Sequence, residues 1–230
     1  MKNECDWRAI SRENTEFFGN VSASISHEIN NRLAVIAEKA GLIEDLAMML
    51  ARGKGVDPGR FEDQGRRIVE QVRDTKNIVG NLNRFAHSAD APISRIDAAA
   101  LLAFVVELYQ RKAGMAEITL SGPGSVDPLM ITTCPFTLEN LIGRCIDTAL
   151  VNGGKDGAVE VGVEEAPGGL RFRFAGLALG SESPEPTATS DGVTAILDCL
   201  GARLRSDPAT ATLLLDVPDH HTSNQGGEHD

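Results

Sequence analysis

The stretch Ser26-His27-Glu28-Ile29-Asn30-Asn31 sets a histidine beside an acid and two asparagines in a chain of 230 residues. Neutral imidazole is a nucleophile, and an ordinary histidine pKa of ~6.5 leaves much of the ring neutral at cytoplasmic pH. His27 lies two residues from both Ile25 and Ile29, ~200° around a helix from each, so it is predicted to project away from their apolar seam. Glu28 is expected to accept a hydrogen bond from one ring nitrogen, leaving the lone pair of the other toward solvent.

The elements that must hold this group come next. From about Asn14 to Arg52, apolar residues fall at Phe18, Ile25, Ile29, Leu33, Ile36, Ala40, Ile43, Ala47 and Leu50. Steps of three, four and seven describe one helical stripe. Gly53-Lys54-Gly55-Val56-Asp57-Pro58-Gly59 breaks it, with Asp57 a candidate N-cap and Pro58 at the first helical position. A second stripe runs through Phe61, Ile68, Val72, Thr75, Val79, Leu82 and Phe85, ending near His87. Two long helices on a short loop form a hairpin that leaves one side of its apolar stripe wet. Pairing two copies into a four-helix bundle covers that side, so residues 14–88 are predicted to form a homodimer.

After residue 91 the pattern changes. Ile96 to Arg111 reads as a helix, Ile118-Thr119-Leu120 as a strand, Leu129 to Thr132 as another, and Pro135 to Val151 as a helix. Residues 158–163 and 170–174 alternate like paired strands around Pro167-Gly168-Gly169. Residues 180–191 read as a loop, 193–200 as a helix, and 203–205 and 213–217 as closing strands. The expected fold class is thus an α-helical hairpin followed by an α+β sandwich with one helix layer on a mixed sheet. Residues 1–13 are expected to be a lead-in, 14–90 the hairpin, 91–218 the α+β domain and 219–230 a disordered tail.

Composition narrows the function. Residues 1–90 carry 13 Lys/Arg against 14 Asp/Glu, and residues 91–230 carry 9 against 19. Neither part has the basic surface that nucleic-acid binding requires, and the acidic second part disfavours a free polyanion such as ATP. No apolar run is long enough to span a membrane, and the opening residues lack the apolar core of a secretory leader. Cys5, Cys134, Cys145 and Cys199 have no CxxC spacing and read as reduced thiols of a cytoplasmic protein rather than disulfides or a zinc site. His87 reads as a charge complement at a helix C-terminus, and His220-His221 as part of the polar tail. Arg32, Lys39, Arg66, Arg67 and Arg73 read as solvated helix charges.

A hairpin carrying S-H-E-I-N-N, followed by an α+β sandwich, resembles the catalytic core of two-component sensor histidine kinases over roughly residues 14–218. That family reads H-E-x-x-N/T-P-L where this chain has His27-Glu28-Ile29-Asn30-Asn31-Arg32-Leu33, so Arg32 replaces a helix-bending proline. The resemblance implies that His27 is a phospho-acceptor, Glu28 its polarising acid and Asn31 a residue able to orient water for dephosphorylation.

The same resemblance implies a nucleotide site that has lost its working residues. Arg144 falls where the family holds Mg²⁺ with an asparagine, and Asn140 lies one turn too early. Phe174 stands in place of the adenine-reading carboxylate, Ala178 in place of a flexible glycine, and Asp191-Gly192 is what remains of a glycine-rich phosphate loop. Pro184 and Pro186 occupy a short lid. Mg²⁺ is a charge neutraliser on which phosphoryl transfer depends. The expectation is therefore a histidine phosphotransferase with no cofactor and no metal of its own. It would exchange phosphate with response-regulator receiver domains, which supply the Mg²⁺. Three other readings stand beside it: a non-catalytic module that binds receivers or pairs with a kinase, a kinase with a divergent ATP site, and a phosphatase acting through Asn31.

Overall fold

The computed structural model describes residues 5–90, 93–124, 127–153, 157–177 and 190–220. They form two compact units. One is the hairpin, Gly19–Ala86; the other combines residues up to Phe18 with those from His87 onward.

In the hairpin unit, α1 (Trp7–Ala51) runs without a break through Arg32, as expected of a helix that has arginine where proline would remove a backbone donor. Gly53, at φ 74°, ends the turn after it. The backbone N–H of Gly59 then donates to Asp57 Oδ1 at 3.1 Å and starts α2 (Gly59–Ser88). Arg32 ties the two helices together, donating to Gln71 Oε1 at 3.1 Å and meeting Asp74 Oδ2 at 3.3 Å. Leu46 is buried, whereas Leu33, Met48, Leu50, Val69 and Val72 remain exposed.

In the α+β unit, β1 (Ser94–Asp97) and β3 (Met130–Thr133) form a separate antiparallel pair. A five-stranded sheet has the order β2-β4-β5-β7-β6. Its strands are β2 (Thr119–Ser121), β4 (Ala158–Ala166), β5 (Gly169–Ala175), β6 (Arg203–Asp207) and β7 (Thr212–Pro218). β2 runs parallel to β4 and the other pairings are antiparallel, so the sheet is mixed as predicted. Alternation places Val159, Val161, Leu170, Phe172, Phe174, Leu213 and Leu215 on a buried face. The helices α3 (Ala98–Met115), α4 (Pro135–Asn152) and α5 (Asp191–Leu200) complete the unit. On the opposite face Asp216 pairs with Arg171 at 2.6 Å and Arg205 at 3.4 Å, and the Arg171 hydrogen bond holds its carboxyl below the usual range.

Three expectations need correction. The residues read as a lead-in, 7–13, are the first turns of α1 and belong to the α+β unit. Phe17, not Phe18, is the buried phenylalanine of α1. Residues 94–97 are a strand rather than the start of a helix: Asp97 caps α3 by accepting from Ala99 N at 3.0 Å and also takes Leu129 N at 3.1 Å. The four cysteines are free thiols; burial pushes Cys145 up, and burial followed by the neighbouring Cys5 and Cys134 pushes Cys199 up to about 12. Among the described residues no helix is long and apolar enough to cross a membrane.

Candidate functional site

His27 lies in the regular part of α1 with its side chain exposed. Residues four apart share a helix face, and Asn31 uses that spacing to bring its amide Nδ2 to 3.0 Å from His27 Nδ1. Glu28, one residue on, projects to a different face and is half-buried. The ring's partner is therefore Asn31 and not the adjacent acid. Among the described residues no hydrogen bond reaches His27 Nε2, so that nitrogen is the open one. The site offers a solvent-facing imidazole, held at one nitrogen, on a rigid helix.

Of the residues read as remnants of a nucleotide site, Asn140, Arg144, Phe174 and Gly192 lie in the α+β unit with other side chains of the chain packed close around them. Arg144, on α4, pairs through Nη2 with Glu13 Oε1 and meets Glu16 Oε1 at 3.5 Å. The Glu13 side chain is 8% exposed and that of Arg144 26%. Burial works against the guanidinium charge, but Glu13 and then Glu16 outweigh it and raise the Arg144 pKa. Asn140 is fully buried and donates to Asn14 Oδ1 at 2.9 Å, while Asn14 donates to Thr137 Oγ1 at 3.2 Å. One turn further along α1, Phe17 packs on Phe136 with ring centroids 5.7 Å apart. It fits because Gly143 has no side chain: a Cβ there would lie 3.0 Å from Phe17 Cε2 and 2.6 Å from Tyr109 Oη.

The start of α5 meets the same segment. Ser190 caps the helix, accepting from Val193 N, and its hydroxyl donates to Glu13 Oε2 at 3.4 Å. A Cβ on Gly192 would stand 2.5 Å from that same carboxylate oxygen, so Glu13 lies flush against the first turn of α5. A carboxylate at a helix N-terminus is favourable placement. What remains beside it is a hollow of about 270 Å³ lined by Glu13, Glu16, Arg144, Asp147 and Ser190 among others. That falls just below the roughly 300–1,000 Å³ of ordinary small-molecule pockets. Asp191 is exposed, and Phe174 is fully buried between Val161 and Leu213. Ala178, Pro184 and Pro186 lie outside the described residues.

The contributions of Glu13, Asn14 and Phe17 were not read from the sequence. A signal was present: Ile10, Phe17, Val21 and Ile25 are spaced seven, four and four apart and all are buried. The stripe was lost because its intervening inward positions are Glu13 and Asn14, polar residues that face polar partners.

The sequence matches no described protein family and no curated protein. Among solved structures it is similar to the Acinetobacter baumannii histidine kinase AdeS, with 12% identity, 79% of this chain and 95% of that one covered, and a TM-score of 0.46. It is also similar to histidine kinase ThkA in complex with the response regulator TrrA (14% identity, 93% and 65% covered, TM-score 0.45). A third is the ATP-binding domain of PrrB from Mycobacterium tuberculosis (18% identity, 56% and 98% covered, TM-score 0.43). Each is a likeness of chain path, and none assigns an activity to this chain.

Proposed function

We propose that this chain is a homodimeric histidine phosphotransferase that takes a phosphoryl group onto His27 from a receiver aspartate and passes it to another. The observation that carries the reading is the exposed His27 ring, with Asn31 at Nδ1 and Nε2 open to solvent. In transfer the Nε2 lone pair forms the N–P bond as the acyl-phosphate P–O bond breaks, and the electron pair leaves with the receiver's carboxylate. Holding the nucleophile on a rigid helix reduces the orientational cost of that in-line exchange. The receiver domain brings the Mg²⁺ that balances the charge.

Loading from ATP is disfavoured by the arrangement in the α+β unit. Glu13 takes the guanidinium of Arg144 and presses on Gly192, and Phe174 is committed to the core. The exposed apolar residues Leu33, Leu50, Val69 and Val72 on the hairpin support dimerisation through a second copy.

The test is transfer from a ³²P-labelled receiver. Wild-type protein is expected to acquire acid-labile label and His27→Gln none, and neither should be labelled by Mg-ATP alone. Self-labelling by Mg-ATP would return the protein to the kinases. Release of free phosphate with no label on His27 would favour a phosphatase, and no transfer at all a binding module.

A further inference from the structure

Asn31 touches the one ring nitrogen whose protonation decides whether the other can react. In a neutral imidazole one nitrogen carries the proton and the other the lone pair, and the bond made to one fixes the state of the other. Asn31 Nδ2 sits 3.0 Å from His27 Nδ1 on the same exposed face of α1. An amide N–H in that position donates, so Nδ1 must hold the lone pair and Nε2 the proton. The open nitrogen is then the unreactive one. A half-turn of the Asn31 amide about its Cβ–Cγ bond puts Oδ1 in the same place. Oδ1 accepts from Nδ1–H, the ring proton having left Nε2 for water and another having been taken up at Nδ1. Nε2 now carries the lone pair.

We propose that Asn31 is a positioning residue that sets the His27 tautomer: donating, it holds the ring in a resting Nε2–H form, and turned over, it exposes a nucleophilic Nε2. Glu28 does not perform this task, because among the described residues the hydrogen bond to the ring comes from Asn31 and the Glu28 side chain leaves α1 on another face. The consequence for phosphoryl transfer rests on His27 being the carrier; the tautomer itself does not.

The experiment is long-range ¹H–¹⁵N correlation on the ¹⁵N-labelled full chain with the ring neutral, beside labelling of His27 by phosphoramidate. In that labelling the donor's P–N bond breaks, ammonia leaves and His27 Nε2 takes the phosphoryl group. Wild type is expected to show mainly Nε2–H. Asn31→Ala removes one solvent-exposed hydrogen bond, so the Nδ1–H share relative to Nε2–H, and the labelling rate with it, should rise about two- to fivefold. Asn31→Asp offers only acceptor oxygens and should make Nδ1–H the major form. A wild type already in the Nδ1–H form would overturn the proposal, as would a tautomer ratio unchanged in Asn31→Ala. If the spectra move as expected while no variant accepts phosphate, the tautomer control stands and the phosphoryl-carrier reading fails.

Discussion

In the hairpin, His27 is exposed, with Asn31 against one ring nitrogen and, among the described residues, no hydrogen bond to the other. In the α+β unit, Glu13, Asn14, Asn140, Arg144 and Ser190 are taken up by one another. Both clusters are built from ordinary polar side chains on helices. What separates them is exposure. A group available for chemistry faces water with one donor or acceptor open, whereas a buried group left unpaired costs about 1–3 kcal/mol. The second cluster therefore pairs mostly within the chain, although Asn140 Oδ1 and Arg144 Nε find no hydrogen-bond partner among the described residues. The comparison therefore separates a polar cluster that can act on a partner from one that acts as mortar.

Phe174 supplies the most severe way to break that contrast. Replacing it with Asp would place a carboxylate where the sequence resemblance leads one to expect an adenine-reading acid. Here the side chain is fully buried in the core, in register with Val161 and Leu213. Burying a carboxylate there without a partner should cost more than about 4 kcal/mol, and thermal melting should show the α+β unit largely unfolded. A Phe174→Asp protein that melts near wild type and binds Mg-ATP would show that the region is an idle site rather than packing.

Glu13→Ala comes next in size. It leaves the Arg144 guanidinium with only Glu16, 3.5 Å away, and removes the carboxylate from the first turn of α5. Removing one member of a buried pair costs about 3–5 kcal/mol; with a quarter of the Arg144 side chain exposed, about 2–3 is expected. In a protein of this length that lowers the melting temperature by roughly 4–12 °C. Combining it with Arg144→Ala should recover part of the loss, because the stranded charge leaves with its partner. Strictly additive losses would mean that the two residues do not act as a pair.

The hairpin, the sandwich and the exposed position of His27 on its helix are legible in the sequence through period and spacing, and the reasons are local. An amphipathic stripe needs only its own helix to be read, and Asp57 before Pro58 marks a helix start within a few residues. The misses are non-local. Four residues of β1 carry too short an alternation to register, and their pairing partner β3 lies more than thirty residues on. Residues 7–18 escaped because Glu13 and Asn14 interrupt the apolar stripe, and only Arg144 and Asn140, more than a hundred residues later, explain why polar groups face inward there. At the candidate site, the adjacent acid Glu28 is the partner the sequence suggests for the ring, whereas the contact at Nδ1 comes from Asn31. Neighbours in sequence are not neighbours on a helix face; residues four apart are.

The smallest effect is the most direct measure of the difference between the two regions. Arg32 and Asp74 in the hairpin make the same chemical pair as Arg144 and Glu13, arginine to carboxylate, at 3.3 Å. Their side chains are 36% and 45% exposed, against 26% and 8% for the other pair. Water screens the first pair and hydrates either member when its partner is removed. Arg32→Ala should therefore cost less than about 1 kcal/mol even though it also loses the bond to Gln71. Added salt should shrink that cost while leaving the Glu13→Ala loss nearly unchanged, because a pair enclosed by protein is little screened. Denaturant melts of both variants at low and high salt measure this. Equal costs with equal salt dependence would mean that burial does not distinguish the two clusters, and the contrast between an open site and a filled one would have to be abandoned.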